Sequence, residues 1–182
     1  LFLAFWGGLS PLVRPELVLV GAIALLMVVA VPQSWARRAA IVVVAGVTPV
    51  GYQVWRMGYY ALPYPNTAVS KDAGGAKWEQ GLTYLGNLVG PYALWVPLLL
   101  VAVAVVVWTI AAPRAGARPD RERGLSRLRT PSAVVAFALV SGLLSVVYAV
   151  RVGGDFMHGR TLLPALFLLL LLAVAAVPGS IF

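Results

Sequence analysis

The chain has 182 residues, 61% of them hydrophobic and only 11% charged. Soluble domains run at about 45–50% apolar and about 25% charged, so this composition excludes a water-soluble fold: too much apolar surface would stay exposed. The net charge of +8 would suit nucleic acid only if the basic residues shared one soluble face; they fall in the connections between apolar runs, a membrane pattern that argues for the lipid bilayer and against a nucleic-acid partner. With no cysteine, disulfides and thiolate-held metals are excluded from this segment.

A helix crossing a hydrocarbon core of about 30 Å needs roughly 20 residues at about 1.5 Å each. The chain opens on LFLAFWGG with no Met and no charged leader, so it is expected to be a piece of a longer chain. Residues 1–12 read as the end of an earlier span, broken at Gly7-Gly8 and Pro11. Next comes LVRPELVL (Leu12–Leu19), where Pro15 suits a first helical turn and Glu16 complements the positive end of the helix dipole. The run Leu17–Pro32 follows, then Ser34–Arg38 with Arg37 and Arg38, then Ala39–Trp55, where Thr48-Pro49 and Gly51 predict a kink.

Tyr52–Gly90 reads as a long, partly helical outer loop. Pro63 and Pro65 hold YYALPYPNTAVSKD (Tyr59–Asp72) extended. Trp78, Leu82, Leu85 and Val89 recur at helical spacing, predicting a helix lying on the membrane surface. Gly81 and Gly86 would leave that helix marginal without membrane or protein contact. The run Pro91–Ala112 leads to Pro113–Pro131, which carries Arg114, Arg118, Arg121, Arg123, Arg127 and Arg129. Ser132–Val150 and Thr161–Val177 are then joined by the ten residues Arg151–Arg160, RVGGDFMHGR. The fold class expected is all-α: one polytopic transmembrane helical bundle of about five spans plus a remnant.

Lys and Arg in short loops set orientation. The arginine-rich connection 113–131 is assigned to the cytoplasm, and counting back two spans returns Arg37 and Arg38 to the same side. Arg14–Glu16, 52–90 and 151–160 then fall on the outer face. Four of the six acidic residues, the only histidine and the tyrosines other than Tyr148 go with them. The outer face is where a site is expected.

Each outer motif has two readings. Arg14 and Glu16 either serve a ligand or only snorkel and cap. Tyr52, Trp55, Tyr59, Tyr60 and Tyr64 are an interfacial belt or a wall for the C–H faces of a sugar. Asp155, His158 and Arg160 bring an acid, a titratable ring and a fixed cation within six residues, or Asp155 and Arg160 merely pair. The charges should avoid the bilayer centre, where each costs roughly 2.5–3.5 kcal/mol. No phosphate-binding glycine motif is present, one histidine is too few for a catalytic zinc site, and no serine completes a hydrolase triad.

Taken together, LVRPELVL, YYALPYPNTAVSKDAGG and VRVGGDFMHGR resemble the membrane domain of AftB-type arabinofuranosyltransferases, polyprenyl-phosphate-dependent enzymes of the GT-C class. GGDFMHGR is also similar to a related envelope family associated with flagellar motor control. The resemblance covers nearly the whole chain. It implies a decaprenyl-phosphoryl-arabinofuranose donor, an arabinan acceptor of a mycobacterial-type cell wall, terminal β-1,2 capping, and a plasma-membrane enzyme working at the extracytoplasmic face. It also implies that the family's main catalytic acids lie in a loop outside these residues.

Within that chemistry, transfer needs a neutralised leaving phosphate and an acceptor hydroxyl that loses a proton. Arg160, Lys71, Arg14 and Arg56 are the candidates for the donor phosphate. Asp155 and His158 are the candidate catalytic groups, with Asp155 as a supporting base and His158 also near the phosphate. Glu16, Asp72, Tyr59, Tyr60 and Tyr64 are the candidate sugar contacts. No metal ligands are assigned; a divalent cation is compatible as cofactor but required by nothing. The rival classes are a lipid-linked sugar transporter, which should carry ionisable residues inside its spans, and a non-enzymatic envelope or motor-assembly protein.

Overall fold

A computed structural model describes residues 1–63, 75–111, 128 and 130–175, and the regular structure among them is helical throughout, with no strand. Most of the arginine-rich connection lies outside the described residues. The chain divides into two units, Leu1–Ala76 and Lys77–Phe182.

In the first unit, α1 (Phe2–Val13) stops at Arg14, whose backbone is extended at φ −152° and ψ 134°. Pro15 opens a single 3-10 turn, Pro15–Leu17, at a position where its missing N–H costs nothing. Glu16 follows in that turn, at the positive end of α2 (Val18–Ala30). The Gln33 amide donates to the Val28 carbonyl at 2.8 Å and so satisfies an end of α2. Ser34 then caps α3 (Trp35–Tyr60), its hydroxyl accepting from the Arg37 N–H at 3.3 Å.

The expected break at Gly7-Gly8 and Pro11 does not occur: α1 runs through all three. α3 carries Pro49 and Gly51 inside one 26-residue helix reaching Tyr60; proline removes one hydrogen bond there, and the helix continues past it. The glycines of α1 are packing residues: a Cβ on Gly8 would overlap the Ala45 carbonyl of α3. Gly21 of α2 is pressed in the same way against Ser10 and the Gly7 carbonyl. Such backbone approach through small residues is how helices associate in lipid.

The second unit holds α4 (Trp78–Val89), α5 (Trp95–Ala111), α6 (Pro131–Arg151) and α7 (Leu163–Ala175). Thr130 caps α6 by accepting from the Ala133 N–H at 3.3 Å, and Pro131 takes the first helical position. α6 and α7 form a hairpin, with Gly142 seated against Leu169. Val101 of α5 joins Val135, Ala138 and Leu172 in one cluster; Leu88 of α4 joins Ala149 and Leu162 in another.

Beside small apolar clusters, many large apolar side chains stay exposed, more than a water-soluble surface carries. Ser141 is fully buried, whereas Val47, Leu100 and Ile110 are 65%, 64% and 79% exposed. Among the described residues two helices, α3 and α6, are long and apolar enough to cross a membrane; α1, α2, α5 and α7 are apolar and shorter.

Candidate substrate-binding site

The loop after α6 is held in place by its two glycines. Gly153 N–H donates to the Val150 carbonyl (3.1 Å) and Gly154 N–H to the Ala149 carbonyl (2.9 Å). These are the paired bonds of a Schellman cap, which needs a left-handed residue just past the helix. Gly153 (φ +84°) and Gly154 (φ +78°) both meet that need. The chain therefore turns off α6 abruptly and lies along α4.

α4 is built to receive it. A Cβ on Gly81 would overlap the Val150 carbonyl, so this glycine lets the α4 backbone touch the end of α6. The Lys77 N–H donates to the Arg151 carbonyl at 2.8 Å, fixing the start of α4 at the same place. Sequence spacing predicts the stripe Trp78, Leu82, Leu85 and Val89 as the apolar side of a helix lying on the membrane surface. Within the protein α4 packs through Gly81, Tyr84, Leu85 and Leu88, while Trp78 and Leu82 stay 48% and 60% exposed. The protein contact that two helical glycines demand is supplied by α6 and the loop.

Tyr84 ties the loop down. Its hydroxyl donates to the Met157 carbonyl at 2.9 Å and accepts from the Thr161 N–H (3.3 Å) and the Thr161 hydroxyl (3.2 Å). Its ring covers Gly154, where any Cβ would collide with it. Leu88 fills the space beside Gly159, a third residue of the loop with positive φ.

This frame brings together two of the three loop residues singled out in the sequence, Asp155 and Arg160. Arg160 forms an ion pair with Asp155, whose side chain is 7% exposed against 40% for Arg160. Asp155 also accepts from the Phe156 N–H at 2.8 Å, and the Arg160 guanidinium lies 5.4 Å from the centre of the Phe156 ring. The carboxylate is the inner partner and the guanidinium the outer one. His158 is exposed and meets the Tyr92 ring at 5.8 Å between centroids; among the described residues it makes no hydrogen bond.

Beside the loop is an open cleft of about 480 Å³, lined by Glu79, Gln80, Thr83, Tyr84, Asn87, Gly153 and Asp155. Apart from Asp155 and the loop glycine, its walls come from the polar side of α4, which is not among the candidates that sequence reasoning singles out. A signal for it exists in the spacing: Glu79, Thr83 and Asn87 recur every fourth residue.

The remaining candidates belong to the first unit. Arg14 and Glu16 form an ion pair, an arrangement that serves ligand binding and simple capping equally well. Arg56 donates to the Pro63 carbonyl at 2.7 Å, and Gln53 to the same oxygen at 2.9 Å, so this guanidinium braces the chain leaving α3. Tyr52, Trp55, Tyr59 and Tyr60 form a ladder of exposed rings along the end of α3, with Trp55 and Tyr59 stacked at 5.5 Å. Tyr64, Lys71 and Asp72 lie outside the described residues. Among the described residues no cluster of three metal-ligating side chains occurs.

Among the described residues the regular structure is all helical, with apolar helices compatible with a membrane; the class is a helical membrane-protein segment with a polar, glycine-shaped loop. Within that class, the chain is 49% identical over 173 residues to a terminal β-(1→2)-arabinofuranosyltransferase of Mycobacterium tuberculosis, a match covering 92% of this chain and 28% of that protein. It is 42% identical over 185 aligned residues to the protein of the same name from Corynebacterium glutamicum, covering 98% of this chain and 26% of that one. The chain is similar to a segment of the AftB-type arabinofuranosyltransferases, and it spans about a quarter of the length of these relatives. No protein-family model matches it, and no solved structure is similar to it.

Proposed function

We propose that this chain is part of a membrane glycosyltransferase of the GT-C type. The enzyme moves arabinofuranose from a decaprenyl-phosphate donor to cell-wall arabinan at the outer face of the plasma membrane, adding the terminal β-1,2 cap. This chain contributes about five spans plus a remnant, with 52–90 and 151–160 outside and 113–131 in the cytoplasm. The relatives' shared name supports the transfer chemistry. The observation that carries the site is the Asp155–Arg160 pair, with an inner carboxylate presenting a partly exposed guanidinium.

Leaving-group departure places negative charge on a phosphate, and a guanidinium fixed beforehand stabilises it without reorganising. Asp155 holds Arg160 in one orientation, and Arg160 can then grip two phosphate oxygens. His158, on the same loop, is a second donor for that phosphate or a proton carrier. Arg14, Arg56 and Lys71 remain candidate phosphate contacts. Glu16, Asp72, Tyr59, Tyr60 and Tyr64 remain candidate sugar contacts. All are tested by single substitutions in the assay that follows.

Transfer of labelled arabinose from a synthetic prenyl-phosphoryl donor to a short arabinan, catalysed by the full protein in lipid nanodiscs, tests the reading. Arg160→Ala should lower kcat/KM by about ten- to a hundredfold, the range of a lost charge-assisted hydrogen bond. Removing Arg160 also leaves a nearly buried carboxylate without its guanidinium. Arg160→Lys is therefore run alongside: it keeps the charge, loses the two-oxygen grip, and should fall between wild type and Arg160→Ala. Wild-type turnover in both variants would remove Arg160 from the donor site. No transfer by an intact wild type that binds the donor would favour a lipid-handling or assembly role.

A further inference from the structure

We propose that the cleft between the polar side of α4 and the glycine loop binds the hydroxyl groups of the acceptor glycan, with Glu79, Thr83 and Asn87 as its contacts. The proposal rests on the transferase reading and adds to it an acceptor subsite. Three observations carry it.

The cleft has the capacity for a small ligand, since about 480 Å³ falls in the usual range of roughly 300–1,000 Å³. Among the described residues its lining holds two carboxylates, two carboxamides, a threonine hydroxyl and a phenol, and no lysine or arginine. That set repels an anion and offers both donors and acceptors, which is what a neutral ligand with several hydroxyls requires. A cation is the weaker match, because only Glu79 and Asp155 supply carboxylates there.

The polar groups of the α4 side are also unspent. Among the described residues, Glu79, Gln80 and Asn87 make no side-chain hydrogen bond, and the Thr83 hydroxyl only donates to the Glu79 carbonyl at 3.1 Å. A row of such groups at every fourth residue is one edge of a helix turned towards a single space. Finally, Asp155 lines this cleft and pairs with Arg160 as well. A glycan hydroxyl seated here is one side chain away from the cation assigned to the donor phosphate, as a transfer between the two requires.

The test uses the full protein in nanodiscs and a neutral synthetic arabinan oligosaccharide as probe. Its affinity is measured by calorimetry without donor, and its KM in the transfer assay with donor. Thr83→Ala and Asn87→Ala each place a better helix former in α4, so a loss is not explained by an unfolded helix. Each should weaken glycan binding and raise the acceptor KM by roughly three- to tenfold, leaving the donor KM unmoved. Leu82→Ala, on another face of α4, should change neither. Unchanged glycan affinity in both cleft variants, or a rise in donor KM in place of acceptor KM, overturns the subsite. So does a Mg²⁺ or Mn²⁺ heat that both variants abolish while glycan heat persists. The two readings separate cleanly. Glycan binding lost in the variants of a protein that transfers nothing keeps the cleft and removes the transferase reading; normal glycan kinetics in a transferring enzyme does the reverse.

Discussion

Gly154 has a φ of +78° and the Tyr84 ring stacked where a side chain would begin. An alanine there meets both penalties: about 1–2 kcal/mol for the left-handed backbone and about 1–3 kcal/mol for the overlap. Gly154→Ala should lower the thermal unfolding midpoint in detergent and expose the loop to protease at Phe156 and Met157, which are already on the surface. A midpoint equal to wild type would mean that the loop does not hold this turn in solution. The two glycines are visible in the sequence as permissive backbone. Their partner is not, because Tyr84 lies 70 residues earlier and reads there as one more interfacial tyrosine. Asp155, His158 and Arg160 are legible because they crowd one short loop. Which of them faces inward depends on contacts across α4, and no local spacing encodes that.

At the scale of elements, α4 shows what pattern carries and what it does not. Its periodicity marks the helix, and Trp78 and Leu82 of the apolar stripe stay exposed. Spacing does not encode the closest protein contact, made by a glycine against a backbone carbonyl, as lipid-embedded helices prefer. A clear contrast follows between the two glycines of this helix. Gly81→Ala should separate α4 from α6 and cost several times more stability than an ordinary surface change. Gly86 has no atom within 4 Å of a Cβ, so Gly86→Ala should be neutral or stabilise by up to about 1 kcal/mol. Unfolding midpoints in detergent decide it: equal effects at the two positions would contradict the α4–α6 contact. Several helix boundaries are readable: α2 stops just before Pro32, and α6 opens on Pro131 and stops at Arg151, ahead of Gly153-Gly154. Pattern alone ends α3 early, at Trp55, because Arg56 to Tyr60 read as polar and aromatic loop, while the helix continues to Tyr60.

For the whole molecule, the surface of exposed valine, leucine and isoleucine and the helices α3 and α6 fit a chain enclosed by lipid, and the proposed orientation can be read with thiols. The chain has no cysteine, so an introduced one is the only thiol in this segment. Met157→Cys, on the 151–160 loop, should react with a membrane-impermeant maleimide in intact cells. Ser34→Cys should react only after permeabilisation. The opposite labelling pattern would invert the topology and move the proposed site to the cytoplasm.

The length of α3 has a consequence of its own. Twenty-six residues at about 1.5 Å come to about 39 Å, some 9 Å more than a typical hydrocarbon core of about 30 Å. In the proposed topology Trp35, Arg37 and Arg38 anchor one end at the headgroups, so the surplus emerges at the other. A helix with such an overhang leans in a thin bilayer and straightens in a thick one. The stacked rings of Tyr52, Trp55 and Tyr59 then rise or sink with the acyl-chain length of the surrounding lipid, which makes the depth of this aromatic post a property of the membrane as much as of the protein.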